Sequence, residues 1–455
     1  QAVAEVNAGG SPLNYDGETN QWNWAWRRTA KRIVEISNQF RAEFGDAAMM
    51  TRIRPVLMWQ QNNGQSTASQ QLNFIEGYYG VVRSGNPTAR PVSYFLYAGG
   101  GSAYYNPDNN SDALTLSNIW SSATFDVNNF KNVIASDAHH AAAFGLKHIA
   151  YEGGPSLDNH GHSESVKDQA WGDSRMKTEV EEHHTAWSNQ GADLLMYFTS
   201  SGSDYQWSFT RDIFNLNTPK LQAIDAIRAG TKASVTLGRS LPAQIDGKAF
   251  SAAKISYKTP GTGSQAVTNG EWFSYAIRTA STARYNVSIT YKATASATIQ
   301  VLLGTSVIAN INVSSTGGAE QTTSAFGLGS LAADKLYGLR VKSTSGSFEV
   351  VRVNINSCTS CKQSVEEVSE SATASLAVYP NPASDRFIVD VNAATEHEVK
   401  LALYSYVGIK VYASSHSVSE GVNTIPVYLS SLSPGVYILE VIANGKVNRE
   451  RLVIE

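Results

Sequence analysis

Four times between Arg54 and Ala229, a short apolar run gives way to a longer segment with helical spacing. The pairs are Arg54–Gln60 with Ser69–Val82, Val92–Ala98 with Asn128–Phe144, Lys147–Tyr151 with Arg175–Asn189, and Asp193–Thr199 with Pro219–Ala229. Strand then helix, repeated, predicts parallel strands joined by crossover helices. A leading helix over Asn20–Phe44 follows from Trp22, Trp26, Ile33, Ile36, Phe40 and Phe44 at threes and fours, with Gly45 as its stop. Four such units are half of an eightfold barrel. Half a barrel leaves an open edge and an uncovered core, so an upstream half is expected. The alternative is an open doubly wound sheet, but no Gly-rich phosphate loop follows any strand, and GGGSAYY after the second lacks the spacing.

The third run, in KHIAYEGGPS (147–156), ends in Glu152. Burying a carboxylate is costly unless it is paired or solvated. A Glu where a buried parallel strand opens onto its loop is therefore a candidate for catalysis, because that face of an α/β barrel carries the active site. A loop-capping or Arg-paired Glu is the equal alternative at this point.

From about Val235 helical spacing disappears. Short alternating strands separated by turns such as Asn269-Gly270 predict an antiparallel β-sandwich over 235–356. Residues 357–374 are polar without an apolar period and read as a linker. A last small β-domain occupies 375–455, with Pro380 and Pro382 as a rigid entry and Gly408 and Gly435 at turns needing positive φ. The fold class is therefore multidomain: a partial (β/α)₈ barrel over 1–234, then two antiparallel β-sandwiches. Cys358 and Cys361 are the two cysteines. With no second pair for zinc and no βαβ context for a redox dithiol, a small disulfide-closed loop in an exported protein is favoured over free thiols.

A net charge of −3 gives no electrostatic case for nucleic acid, and no apolar run is long enough to span a bilayer. The opening QAVAEVNAGG has neither Met nor a signal-peptide pattern, so the chain is expected to start within a longer precursor or after processing.

VYPNPASDRFIVDV, LALYSYVGIKVY, GVNTIPVYLSSLSPGVYILEV and KVNRERLVIE, spread over Ser375–Glu455, resemble the type A C-terminal sorting domain of the type IX secretion system. The resemblance implies an immunoglobulin-like last domain and export across the outer membrane of a Bacteroidetes-type bacterium, ending secreted or at the cell surface. The implied partners are the translocon and an outer-membrane shuttle protein. Pro380, Asn381, Pro382, Gly408, Gly435 and Tyr437 would carry the signal. NGEWFSYAIRTASTARYNVSITYKA resembles a carbohydrate-binding module of the family 6 or 35 kind, over roughly Asp246–Ile355. By that likeness Trp272 and Tyr275 lie at or near the inter-sheet core, and a structural calcium is the one cofactor to expect. The module is either a binder or a spacer.

WAWRRTAKRIVEISNQFRAEFG, RIRPVLMWQ, IAYEGG and ADLLMYFT resemble the second half of a (β/α)₈ glycoside hydrolase of the large retaining superfamily. The resemblance places Glu152 at the nucleophile position and the acid/base Glu upstream of Gln1. Trp59, Gln60, Tyr97, His160 and Trp207 are the implied substrate contacts. If Glu152 points to the barrel axis, Tyr151 packs toward the helices. His139, His140, His183 and His184 fall on helices expected to face solvent, and no metal site is expected. Two functions follow. One is an exported polysaccharide-degrading glycoside hydrolase whose 455-residue chain alone is inactive. The other is a non-catalytic surface polysaccharide-binding protein or adhesin.

Overall fold

A computed structural model describes residues 1–107, 115–157, 164–202, 207–254, 266–359, 361, 376–393, 395–405, 410–419, 421–429, 432–443 and 446–455. The chain divides into two compact units, Gln1–Val365 and Glu366–Glu455.

The first 234 residues hold helices α1 (Ala2–Asn7), α2 (Gln21–Phe44), α3 (Ser69–Phe74, continued by wide turns at Gly64–Ala68 and Ile75–Tyr79), α4 (Val92–Phe95), α5 (Leu116–Ser121), α6 (Val127–Ala143), α7 (Glu164–Gly172), α8 (Arg175–Asn189) and α9 (Pro219–Ala229). Short side chains fix where the long helices start. Asn20 caps α2 through the Trp22 N–H, Asp126 caps α6 through Asn128 and Asn129, and Thr218 caps α9 with Pro219 in its first turn. Strands β1 (Val56–Met58), β2 (Ala98–Gly100) and β4 (Lys147–His148) pair in parallel, in chain order. The run 193–198 continues the sheet beside β4. The Asp193 N–H donates to the His148 carbonyl at 2.8 Å, and the Ala150 N–H donates to the Leu194 carbonyl at 2.9 Å. Beyond the strand ends, β3 (Ala103–Tyr105) and β5 (Gly153–Pro155) pair in parallel as a second tier.

Alternation divides this sheet between two faces. Leu57 points among Ala30, Val34, Leu72 and Phe144 in the core built by the helices. The other face is bare: Leu194 is 51% exposed, Met196 53% and Phe198 43%. Tyr151 is also exposed on this sheet, which corrects the expectation that it packs among the helices. The second run differs from expectation as well. Pro91 opens a short helix, α4, and the strand begins only at Ala98.

One β-sandwich sheet runs Ser306–Val313, Ala297–Leu303, Tyr337–Ser345, Trp272–Arg278 and Arg239–Ser240. The other is centred on Ala283–Lys292 paired with Ser347–Ser357. Phe273, Tyr275 and Ile277 fill the space between the sheets. Trp272 does not share it, contrary to the expectation. It sits one residue out of phase on the opposite face, against the helices, where its Nε1–H donates to Asn73 Oδ1 at 3.0 Å and its ring meets Phe144 edge-on. The strand 272–277 is buried on both faces for this reason. Cys358 and Cys361 are joined by a disulfide just beyond the last strand.

In the parallel sheet the strands approach so closely that a Cβ on Gly100 would overlap the Ile149 carbonyl. Gly100→Ala is expected to destabilise this unit by about 1–3 kcal/mol, read from the urea midpoint by tryptophan fluorescence.

The second unit is a sandwich with sheets ordered Leu376–Tyr379, Arg386–Ala393, Gly421–Tyr428 and Lys410–Val418, His397–Ser405, Gly435–Ala443, Lys446–Ile454. Phe387, Val389, Leu401, Leu403, Leu439 and Val441 fill it. Exposed Pro380, Asn381 and Pro382 turn the chain onto the last strand: Asn381 Oδ1 accepts the Val453 N–H at 2.9 Å. Tyr437 is buried, its hydroxyl bonded to the Ser433 carbonyl at 2.7 Å. Gly435 opens a strand and is not among the glycines at positive φ, which corrects the turn expected there. Gly408 lies outside the described residues, as does most of the expected linker.

Candidate active site

Parallel strands in one order bring their C-terminal ends to one side of the sheet, so the loops that follow them converge. After β1 come Gln60 and Gln61, after β2 come Ser102 to Tyr105, and after β4 comes Glu152. The backbone N–H of Ala103 donates to the Glu152 carbonyl at 2.9 Å, and that of Phe198 to the Gly153 carbonyl at 2.9 Å. Glu152 is thus held between the ends of the second and fourth runs.

The Tyr104 side chain lies close enough to Glu152 for the carboxylate charge to act on its hydroxyl. Burial and the nearby Glu152 charge push the phenol well above its ordinary range. A phenol so placed stays protonated at ordinary pH.

Of the expected substrate contacts, Gln60 is exposed at the end of β1. Trp207 is half-buried and meets Phe198 edge-on at 6.2 Å, past the fourth run. Trp59 does not reach the mouth: it is buried in the helix-side core. Tyr97 precedes β2, so it lies at the opposite end of the sheet from Glu152, between Arg54 and Lys147. There it lines a groove of about 660 Å³ formed with the β-sandwich. The displacement follows from α4, which uses the residues expected to begin the strand. His160 lies outside the described residues.

The helical histidines do not face solvent. His140 and His183 are buried, with Nδ1 at 3.0 Å from the Ser136 carbonyl and 2.9 Å from the Glu179 carbonyl. His183 stacks on Tyr105. Burial pushes His139, His140 and His183 down to about 4, so they are neutral at ordinary pH and act as packing groups. His184 is bonded to the Tyr197 hydroxyl at 2.9 Å. Among the described residues no three His, Cys, Asp or Glu side chains come together to hold a metal ion.

Sequence reasoning missed Tyr104 and Gln61. Polar side chains just past short strands look like solvated loop. The signal was GGGSA, whose small residues let the β2 loop reach the end of β4.

Residues 377–455 match the secretion system C-terminal sorting domain. The chain is therefore exported across the outer membrane by type IX secretion, to the cell surface or the medium. No curated protein matches the chain. Among solved structures it is similar to the C-terminal family 6 carbohydrate-binding module of a Zobellia galactanivorans laminarinase, at 18% identity over 25% of this chain and 98% of that one, TM-score 0.21. It is also similar to a family 6 module from Clostridium stercorarium solved with cellobiose, at 20% identity over 27% of this chain and 100% of that one, TM-score 0.22. A ruminal family 26 endo-β-1,4-mannanase is similar at 11% identity, TM-score 0.22; 30% of this chain spans 29% of that one.

Proposed function

We propose that residues 1–234 are the C-terminal half of a (β/α)₈ retaining glycoside hydrolase acting on a polysaccharide, with Glu152 as nucleophile. The missing strands and the acid/base Glu would come from a further parallel β/α layer of a longer polypeptide. The observation that carries this reading is the placement of Glu152 where parallel strands end, its carbonyl bonded by the Ala103 N–H of the neighbouring run. The bare inner face supports it. Parallel sheets are covered on both faces, and Leu194, Met196 and Phe198 lack that cover.

The chemistry follows. Glu152 attacks the anomeric carbon as the upstream acid gives its proton to the departing glycosidic oxygen. The same upstream group, now a base, deprotonates a water that releases the sugar from Glu152 and restores both carboxyl groups. Retention requires the two groups about 5–5.5 Å apart. The β-sandwich serves as a buttress, since the sheet face carrying Trp272 is taken up by α3 and α6.

The test is covalent labelling. A panel of 2-deoxy-2-fluoroglycosyl fluorides, whose leaving group needs no acid, is expected to esterify Glu152 in the polypeptide with a complete barrel, read by peptide mass spectrometry. No label at any concentration, with polysaccharide binding intact, would establish the adhesin instead. Deleting 375–455 is expected to leave the protein in the periplasm, read by fractionation and immunoblotting.

A further inference from the structure

We infer that Gln61 is a positioning residue, which sets Tyr104 and its strand beside Glu152 and is itself held by Asp137. The inference rests on the reading of Glu152 as nucleophile.

In the second tier, Ala103 and Tyr105 direct their backbone groups to β5. The Ala103 N–H donates to the Glu152 carbonyl at 2.9 Å, and the Tyr105 carbonyl accepts from the Ser156 N–H at 3.0 Å. The N–H and C=O of Tyr104, between them, point to the other edge of β3, where no strand among the described residues pairs. Gln61 takes that place. Its Nε2 donates to the Tyr104 carbonyl at 2.9 Å, and its Oε1 accepts from the Tyr104 N–H at 3.3 Å. The same Oε1 accepts from Ser102 Oγ at 3.3 Å. One carboxamide thus fixes both main-chain groups of Tyr104, next to the Ala103 whose N–H holds the Glu152 carbonyl. A carboxamide suits the task because it offers a donor and an acceptor together; a carboxylate would repel the Tyr104 carbonyl.

Gln61 is itself anchored. The next N–H, of Asn62, donates to Asp137 Oδ2 at 3.0 Å, and Asp137 is buried on α6. The fit leaves no slack: a Cβ on Gly101 would lie 2.7 Å from Gln61 Cα and 2.9 Å from Asp137 Oδ2. The line of support therefore runs from α6 through the β1 loop and the β2 loop to the carboxylate at the end of β4.

The first experiment needs no activity. In the 455-residue chain with ¹³Cζ-labelled tyrosine, Y104F assigns the Tyr104 resonance, and E152Q is expected to shift it. Q61A and Q61E are expected to shift it as well, with the other tyrosines unmoved; an unchanged resonance in Q61A would overturn the inference. The second uses the polypeptide with a complete barrel. Q61A is expected to slow labelling of Glu152 by the fluoroglycosyl fluoride about 10–100-fold, the cost of misplacing a reacting group by a fraction of an ångström to an ångström. In the Y104F background Q61A is expected to add nothing. Full additivity would mean that Gln61 acts without Tyr104 and would also overturn it. Absence of any label on the unsubstituted protein would defeat the glycosidase reading, while the resonance still decides whether Gln61 sets Tyr104.

Discussion

Replacing Glu152 by Gln, in the polypeptide that carries a complete barrel, is expected to lower kcat by about 10⁴-fold or more with KM little changed. The loss is that large because the proposed mechanism assigns the covalent bond to Glu152, and the amide that remains keeps the contacts of the bound sugar. The variant should still fold: the Glu152 backbone is tied by the Ala103 N–H, and an amide has the size and shape of the carboxylate it replaces. Two further readings separate a nucleophile from a merely structural Glu. Azide added to Glu152→Ala is expected to restore turnover and to yield the glycosyl azide of inverted configuration, because a small anion then attacks from the vacated side. Tyr104→Phe is expected to reduce kcat by up to about 10²-fold, the scale of one hydrogen bond made to the reacting group in the bound complex. The 455-residue chain alone is expected to be inactive on the same substrates, since even the lack of general acid–base assistance costs about 10²–10⁴-fold. Robust hydrolysis by that chain would remove the upstream acid from the scheme.

Helices were legible where spacing and caps agreed. Arg175–Asn189 and Pro219–Ala229 have the bounds read from the sequence, because apolar positions at threes and fours met a clear start, such as Thr218-Pro219. The run VSYFLYA was misread because aromatic and branched residues favour strands in general, while Pro91 starts a helical turn here. That slip moved Tyr97 from the mouth of the sheet to its far end. Trp272 shows a different limit. Alternation tells which residues share a face of a strand, but not which face a second layer of the chain will cover. The buried histidines have the same cause. His140 lies on a helix with the β-sandwich behind it, and the Ala253 carbonyl of that sandwich acts on its ring. Glu152 was legible as a position because a buried run stopped on it. Its partners were not, since Tyr104 and Gln61 come to it through pairing of β3 with β5, a contact between segments some fifty residues apart.

Glu76→Gln is expected to destabilise the first unit by about 3–5 kcal/mol, the cost of removing one partner from a buried ion pair. Arg340 is 0% exposed. Its guanidinium donates to Glu76 Oε1 at 2.7 Å and to the Gly304 carbonyl, and lies over the rings of Phe144 and Trp272. Lys342 reaches the other Glu76 oxygen at 3.2 Å. Glu76 comes from the helical region and both cations from the β-sandwich, so the pair joins them. Burial opposes the Glu76 charge, but the two cations prevail and hold its carboxyl down to about 2, below its ordinary 4.5. The sign follows: the stabilisation is present above pH 4.5 and is lost as the pH falls toward 2. A shift of that size corresponds to roughly 3 kcal/mol. Stability of the unsubstituted protein should fall across that acid window, and that of Glu76→Gln should fall less. All nine tryptophans precede residue 366, so their fluorescence in urea follows the first unit without interference from the second. The double variant Glu76→Met with Arg340→Met is expected to recover much of the loss, because apolar groups of similar size need no partner. Equal losses in the single and double variants would show that the cost lies in packing against Phe144 and Trp272 rather than in an unpaired buried charge.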